Sequence, residues 1–302
     1  MRGEEHREGL SSRERASPLS SSLMLSAALV VLLVLAGSAA LGYLVMRLDI
    51  ASSFTPFYPG GDTPVGAAIN SLFFLLLVLA GAGMLLALTR RRRLDILHLV
   101  LAVAIFVSYW GILEIYAAVL VDEELGALVD LMSLAIAFLT AFLVVKPLSL
   151  TLLSALLLLY GVMVGPIFTA MLTPLSTVAV SATLAAYDAY SVTRGPLKRF
   201  LETLSQHQDS GKNRGELLRG AVVHIGPLSL GMGDVLVYSM LSPLFLATPS
   251  YSLLRWIVCS VGLLAGFLAT LWMLRRRHFM PALPLPVAFS LSAYATCYLL
   301  GL

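Results

Sequence analysis

Two aspartates stand in stretches otherwise fit only for lipid. Asp234 follows Gly231-Met232-Gly233 inside Leu228–Ala247, a run with a single charge. Asp188 follows Tyr187 near the end of the apolar segment before it, six residues ahead of Arg194. A carboxylate near the interior of a bilayer costs roughly 2.5–3.5 kcal/mol on insertion scales, so neither is expected there without a task. Asp234 lies six residues after Leu228, so at a helical rise of about 1.5 Å per residue both acids sit about 9 Å inside the same membrane boundary. Two helices joined by one loop can then bring the carboxyl groups face to face. Two carboxyls sharing a site cannot easily both ionise. The ionised one can take a proton from water while the protonated one polarises a carbonyl, and the proton passes to a leaving amine. Which acid acts as base belongs to the pair rather than to either residue. Nothing in this chemistry calls for a metal or a cofactor. Gly231 and Gly233 remove side chains beside Asp234, so another backbone can come close.

The elements that must hold these acids are membrane helices. Of the 302 residues 59% are hydrophobic and only 12% charged, with a mean hydropathy of +0.90. That composition excludes an ordinary soluble domain and indicates a polytopic, all-α membrane protein. Apolar segments long enough to span read 23–46, 66–88, 96–121, 126–145, 148–166, 167–193, 228–247, 251–274 and 280–302. The division of 148–193 is placed at Gly165-Pro166, a helix-breaking pair in a run too long for one crossing.

The basic residues test that count. The N-terminal tail, the 90–93 cluster, Lys146, the 194–219 loop and Arg275–Arg277 fall on one side of a nine-span chain. Together they hold 18 of the 20 Lys and Arg residues, with only Arg47 and Arg255 toward the other side. By the positive-inside rule the N-terminus is cytoplasmic and the C-terminus outside. The chain then divides into a flexible polar tail (1–22), spans one to six (23–193), a cytoplasmic loop (194–227) and spans seven to nine (228–302). In the loop, Leu197, Phe200, Leu201 and Leu204 recur at helical spacing opposite Lys198, Arg199 and Glu202, predicting a short helix on the membrane surface. Ala221–Ile225 has strand composition and ends at Gly226-Pro227. Phe54, Phe57 and Tyr58 in the outer loop 47–65 read as headgroup-level anchors.

Glu114 and Asp130 also lie inside spans, near the outer ends of their helices. They read as buried hydrogen-bonding or water-facing groups, since no glycines flank them. Cys259 and Cys297, both in apolar spans, read as packing thiols. Pro281-Ala282-Leu283-Pro284-Leu285-Pro286 opens the last span at the same end as the two aspartates. Three prolines in six residues remove backbone donors, and irregular backbone at membrane depth is tolerated only inside protein or along a wet cavity.

Tyr187-Asp188, Gly231-Met232-Gly233-Asp234 and Pro281-Ala282-Leu283 resemble, in order and on spans six, seven and nine, the YD, GxGD and PAL motifs of the presenilin and signal peptide peptidase family. The resemblance covers nearly the whole chain. It implies an intramembrane aspartyl protease acting on transmembrane-helix substrates, with Asp188 and Asp234 as the catalytic pair. It further implies that Tyr187, Gly231, Met232, Gly233 and Pro281, Ala282 and Leu283 shape the substrate site. Val222 and Val223, in the strand-like stretch, are expected to pair with an unwound substrate. The basic-residue distribution matches the presenilin orientation rather than its inverse. Met280 stands where signal peptide peptidases carry Gln, and the 194–227 loop is much shorter than in animal presenilins, which points to a microbial, presenilin-like protein of the cell membrane. The expected partners are membrane-protein substrates and the lipid bilayer, not nucleic acid. The five histidines form no HExxH zinc site, and no GxSG stretch suggests a serine nucleophile. The competing reading is a proton- or cation-coupled transporter, which also uses paired intramembrane acids and broken helices. Its acids sit near the midplane with repeat symmetry, and no repeat is visible here.

Overall fold

The computed structural model describes residues 21–47, 57–58, 60–90, 94–121, 123–146, 148–193, 219–226, 228–274 and 280–302. Among them are nine α-helices and one two-stranded sheet. The order is α1 (Ser21–Arg47), α2 (Pro64–Arg90), α3 (Leu94–Leu120), α4 (Gly126–Val145), α5 (Leu150–Met171) and α6 (Pro174–Thr193), then β1 (Val222–Ile225), β2 (Leu228–Gly231), α7 (Met232–Ala247), α8 (Leu253–Leu274) and α9 (Pro284–Leu299). The helical class expected from the apolar runs holds, with a β-hairpin added. Six helices, α1 to α5 and α8, contain stretches long and apolar enough to cross a membrane. The surface helix expected around Leu197–Leu204 and the basic clusters at 194–218 and 275–277 lie outside the described residues.

α7 is the centre of the bundle. Val235, Val237, Tyr238, Met240, Leu241, Leu244 and Phe245 are all essentially inaccessible, with α1, α5, α6 and α8 around them. Small residues let these helices close in. Gly161, Gly165 and Thr169 form a stripe at four-residue spacing on α5, the pattern that brings membrane helices together. A Cβ at Gly161 would come 2.5 Å from Val235, and one at Gly165 would collide with Ser239. Thr169 Oγ1 donates to the Met240 carbonyl at 2.6 Å. On the α1 side Gly42 meets Pro243, and Ser242 Oγ donates to the Leu35 carbonyl at 2.6 Å while accepting from Trp256 Nε1 at 2.8 Å.

Two boundaries differ from the sequence expectation. Gly165-Pro166 does not divide two spans, because Pro166 lies inside α5. The missing N–H costs one helical bond, and the helix continues because α7 packs against it on this turn. The break falls at Leu172-Thr173 instead. Pro174 opens α6, where a first-turn residue has no intrahelical use for an N–H, and Thr173 Oγ1 accepts from the Ser176 N–H at 3.3 Å.

The second difference concerns the start of span seven. Leu228–Gly231 is strand, so α7 begins four residues later than the apolar run. β1 and β2 pair antiparallel in the register Val222–Gly231, Val223–Leu230, His224–Ser229 and Ile225–Leu228. Gly226, at φ +60°, takes the left-handed turn position that glycine adopts without strain. Val223 and Leu230 are both buried and seal the hairpin onto the bundle.

The opposite ends of α7 to α9 are gathered by Arg255, whose side chain is fully buried. Its Nε donates to the Phe245 carbonyl at 2.8 Å and Nη1 to the Leu302 carbonyl at 2.9 Å, with the Ser250 carbonyl also bound. Read in sequence as a residue near the outer boundary, it is instead a cation dissolved in backbone carbonyls, including those left over at the α7 C-terminus.

Candidate active site

Asp234 occupies the third helical position of α7, after Gly231 as N-cap. An acid here can reach back to the N-cap amide and faces the positive end of the helix dipole. The Asp234 carboxylate does fold back toward Gly231. It lies so close that a Cβ at 231 would come 3.2 Å from Oδ2. Glycine at 231 therefore makes room for the acid on its own chain. Gly233 is different, since a Cβ there would meet nothing within 4 Å and the residue is exposed. Its bare face opens toward space another chain can enter.

Asp188 lies on the last turns of α6, which packs against α7 and α9. The two carboxyl groups are close enough to feel each other's charge. Both are partly exposed, so water can reach them. Asp188 Oδ2 accepts the Leu283 N–H at 3.0 Å, with the Ala282 amide close by. The Pro281–Leu283 segment comes before α9 begins at Pro284, so its amides are not used by a helix. The first turn of α9, just after this segment, is held by α8, where Gly266 lies against it: a Cβ there would sit 2.5 Å from the Leu285 carbonyl oxygen and 2.7 Å from Pro286 Cα. The structure thus brings Asp188, Asp234 and Pro281–Leu283 together.

The other expected contacts sort differently. Met232 packs its side chain toward Gly161 on α5. Tyr187 sits beside Asp188 with its hydroxyl oxygen buried and unbonded among the described residues. Val222 and Val223 do not offer an open edge. The Met232 N–H bonds the Ala221 carbonyl at 2.9 Å, which sets the parity of the ladder: Val223 bonds across to Leu230, while Val222 and His224 point their amides away from β2. On that outer side the His224 N–H donates to Ser154 Oγ of α5 at 3.0 Å. β1 is therefore covered on both edges, and the same parity turns the amide groups of Ser229 and Gly231 outward from β2. Asp234 folds over Gly231, which leaves exposed Ser229 with its N–H and carbonyl facing away from the hairpin.

Sequence reasoning missed Ser154, Ser229 and Tyr238. Tyr238 is fully buried one turn after Asp234, and its hydroxyl donates to the Ala282 carbonyl at 3.4 Å. The four-residue spacing from Asp234 was visible in the chain; the distant carbonyl was not. Glu114 and Asp130 form a separate group away from the dyad. They line a cavity of about 320 Å³ between α3 and α4. Glu114 accepts from Trp110 Nε1 at 2.9 Å and from Ser133 Oγ.

No protein family's sequence profile matches the chain, and no curated protein matches it. Among solved structures it is similar to a presenilin-family intramembrane aspartate protease in two crystal forms. The C222 form is 21% identical, covers 92% of this chain and 99% of that one, and superposes with a TM-score of 0.61. The P2 form is 23% identical, with coverages of 90% and 96% and a TM-score of 0.59. Similarity of this extent at this identity speaks to architecture: the chain shares its fold with the presenilin-family intramembrane aspartate proteases.

Proposed function

We propose that this protein is an intramembrane aspartic endopeptidase, hydrolysing peptide bonds within the transmembrane helices of membrane-protein substrates. The observation that carries the reading is the convergence of Asp188 and Asp234 at one end of the bundle, beside a non-helical segment whose Leu283 N–H Asp188 holds. One carboxylate takes a proton from water, the other donates to the scissile carbonyl, and the amine leaves with the transferred proton. In this reading all nine helices cross the membrane of the cell, with the N-terminus and the dyad toward the cytoplasm. β2 and Pro281–Leu283 complete the crossings of the short helices α7 and α9, with β1 in the cytoplasmic loop.

A helical substrate hides its carbonyls in its own hydrogen bonds and must unwind before water can attack. Unpaired backbone groups in lipid cost several kcal/mol each, so the unwound segment needs partners. We assign that role to the outer edge of β2 at Ser229, with Gly233 leaving space for the substrate backbone and Pro281–Leu283 on the far side. This replaces the Val222–Val223 edge, which Ser154 and β2 already occupy.

The decisive experiment is cleavage of a model transmembrane peptide in detergent by the intact protein and by Asp188→Asn and Asp234→Asn. Cleavage that survives both substitutions rejects the dyad. A dyad that needs one proton also gives a rate falling on both the acid and the alkaline side. Proton or cation flux lost with either substitution, in a protein that never cleaves, would instead identify a transporter.

A further inference from the structure

One peptide group in the site is gripped from both ends. The carbonyl of Ala282 accepts from Tyr238 Oη at 3.4 Å, and the N–H of the same amide, on Leu283, donates to Asp188 Oδ2 at 3.0 Å. Tyr238 stands on α7 four residues after Asp234, so the two side chains leave the same helix face. The tyrosine ring has no freedom to wander, being fully buried with the Phe267 ring edge-on at 6.4 Å. Leu283 is also buried, at 6% exposure, which pins the amide from its other side. The contact at the carbonyl is long for a hydroxyl donor, as bonds in a site awaiting its substrate commonly are.

We propose that Tyr238 is a positioning residue for the dyad, acting on Asp188 through the Ala282–Leu283 amide. The proposal rests on the aspartyl protease reading above. A hydrogen bond accepted at the carbonyl strengthens the donor at the other end of the amide. The Leu283 N–H then holds Asp188 Oδ2 as an acceptor and leaves the second carboxyl oxygen for water and the partner acid. Because Tyr238 and Asp234 share α7, the chain of bonds ties Asp188 on α6 to the helix of its partner through a segment of α9's approach. The spacing of the two acids is thereby set by the peptide group between them, beyond the general packing of α6 on α7. This gives the proline-rich segment a second task besides touching substrate. It carries the register from one acid's helix to the other acid.

The test is Tyr238→Phe, which keeps the ring and deletes only the hydroxyl. Steady-state cleavage of a transmembrane peptide should show kcat lowered about tenfold, the equivalent of one lost hydrogen bond of ~1.4 kcal/mol, with KM and thermal stability unchanged. Replacing Tyr238 by 3-fluorotyrosine, a stronger donor of nearly the same shape, should hold kcat at or above the parent value. A Tyr238→Phe protein within twofold of the parent kcat overturns the proposal, as does a raised KM or lowered stability with kcat intact. If Tyr238→Phe fails to fold, the fluorotyrosine protein decides, and a kcat well below the parent overturns it. Asp188→Asn and Asp234→Asn are assayed alongside. If they still cleave, the dyad reading itself has failed; if they are inactive while Tyr238→Phe matches the parent, only the role of Tyr238 has failed.

Discussion

Among the described residues, the helices that hold the proposed dyad and its proline-rich neighbour are the poorest membrane helices. α1 to α5 and α8 satisfy the length and apolarity of a span, whereas α7 and α9 have 16 residues each. At about 1.5 Å per residue such a helix reaches roughly 24 Å, short of the ~30 Å hydrocarbon core. α6 has 20 residues but is diluted by Ser176, Thr177, Ser181, Thr183, Ser191 and Thr193. The deficit of α7 and α9 lies at the same end, where the hairpin and Pro281–Leu283 replace helical turns. Helix satisfies its own amides and so offers none to a neighbour. Ending the helix early releases the Leu283 and Ser229 amides, one of which Asp188 takes, while the other stays open on the β2 edge proposed for substrate. The scaffold helices close their backbones; the helices of the proposed site give up part of that closure and leave donors free.

Substitutions can separate the two regions. Asp188→Asn or Asp234→Asn should lower cleavage by about a thousandfold or more, with the double substitution no worse than either alone because the pair acts as a unit. Thermal unfolding should be little changed, so the comparison fails if either substitution collapses the bundle. In the scaffold the expected pattern is reversed. Gly165→Val forces a branched side chain into Ser239 and should cost at least the ~1–3 kcal/mol typical of overpacking. That loss should be read first as a lower melting temperature, with cleavage falling only in proportion to the folded fraction.

Ser229→Pro tests the open edge. It removes an amide that takes no part in the hairpin ladder, so the hairpin should survive and cleavage should drop about tenfold for the loss of one substrate bond. Binding of an active-site-directed inhibitor should persist; unchanged cleavage would reject β2 as the pairing edge. Val223→Pro would be a poor probe of the same question, since that amide is inside the ladder and the residue is 2% exposed. Gly233→Ala should leave stability unharmed, because nothing lies within 4 Å of the added methyl, yet slow cleavage several-fold by filling the substrate's path. Equal rates would mean that the substrate passes elsewhere.

The smallest effect concerns His224 on β1. Burial pushes its imidazole down from the ordinary value of 6.5, and Nε2 is buried without a bonded partner among the described residues. A depressed value means that the unfolded chain takes up the proton first. The hairpin should therefore be fully stable above pH 6.5 and weaken as pH falls below it. Hydrogen exchange of the 222–231 amides, corrected for its intrinsic pH dependence, should accelerate at pH 5.5 relative to 7.5, and His224→Gln should remove that difference. A flat profile in the parent protein would show that the hairpin does not sense the proton.

Much of the site was readable before any fold. The cost of an acid in lipid marked Asp188 and Asp234, and the glycines and prolines marked where helix must end, because these are properties of a residue and its immediate neighbours. Where such local signals competed, the chain alone misled. Gly165-Pro166 reads as a break, but α7 packed against the stripe Gly161, Gly165 and Thr169 keeps that helix whole. Leu228–Gly231 reads as the start of a span, but pairing with β1 draws it into a strand. Both outcomes depend on a partner far away in sequence.

What the sequence determined by itself was the membrane class, the order of the apolar helical runs, and the presence of two acids within them, since each follows from hydrophobicity and charge along one line of residues. Tertiary structure alone decided who holds those acids. Leu283 is 95 residues from Asp188 in the chain, and Tyr238 is 44 from Ala282. Backbone amides are the same at every position, so no pattern of side chains announces which will be left free to donate. Only the packing of α8 against Leu285 and Pro286, and of Ser154 against β1, settles which amides meet an aspartate and which edge stays open.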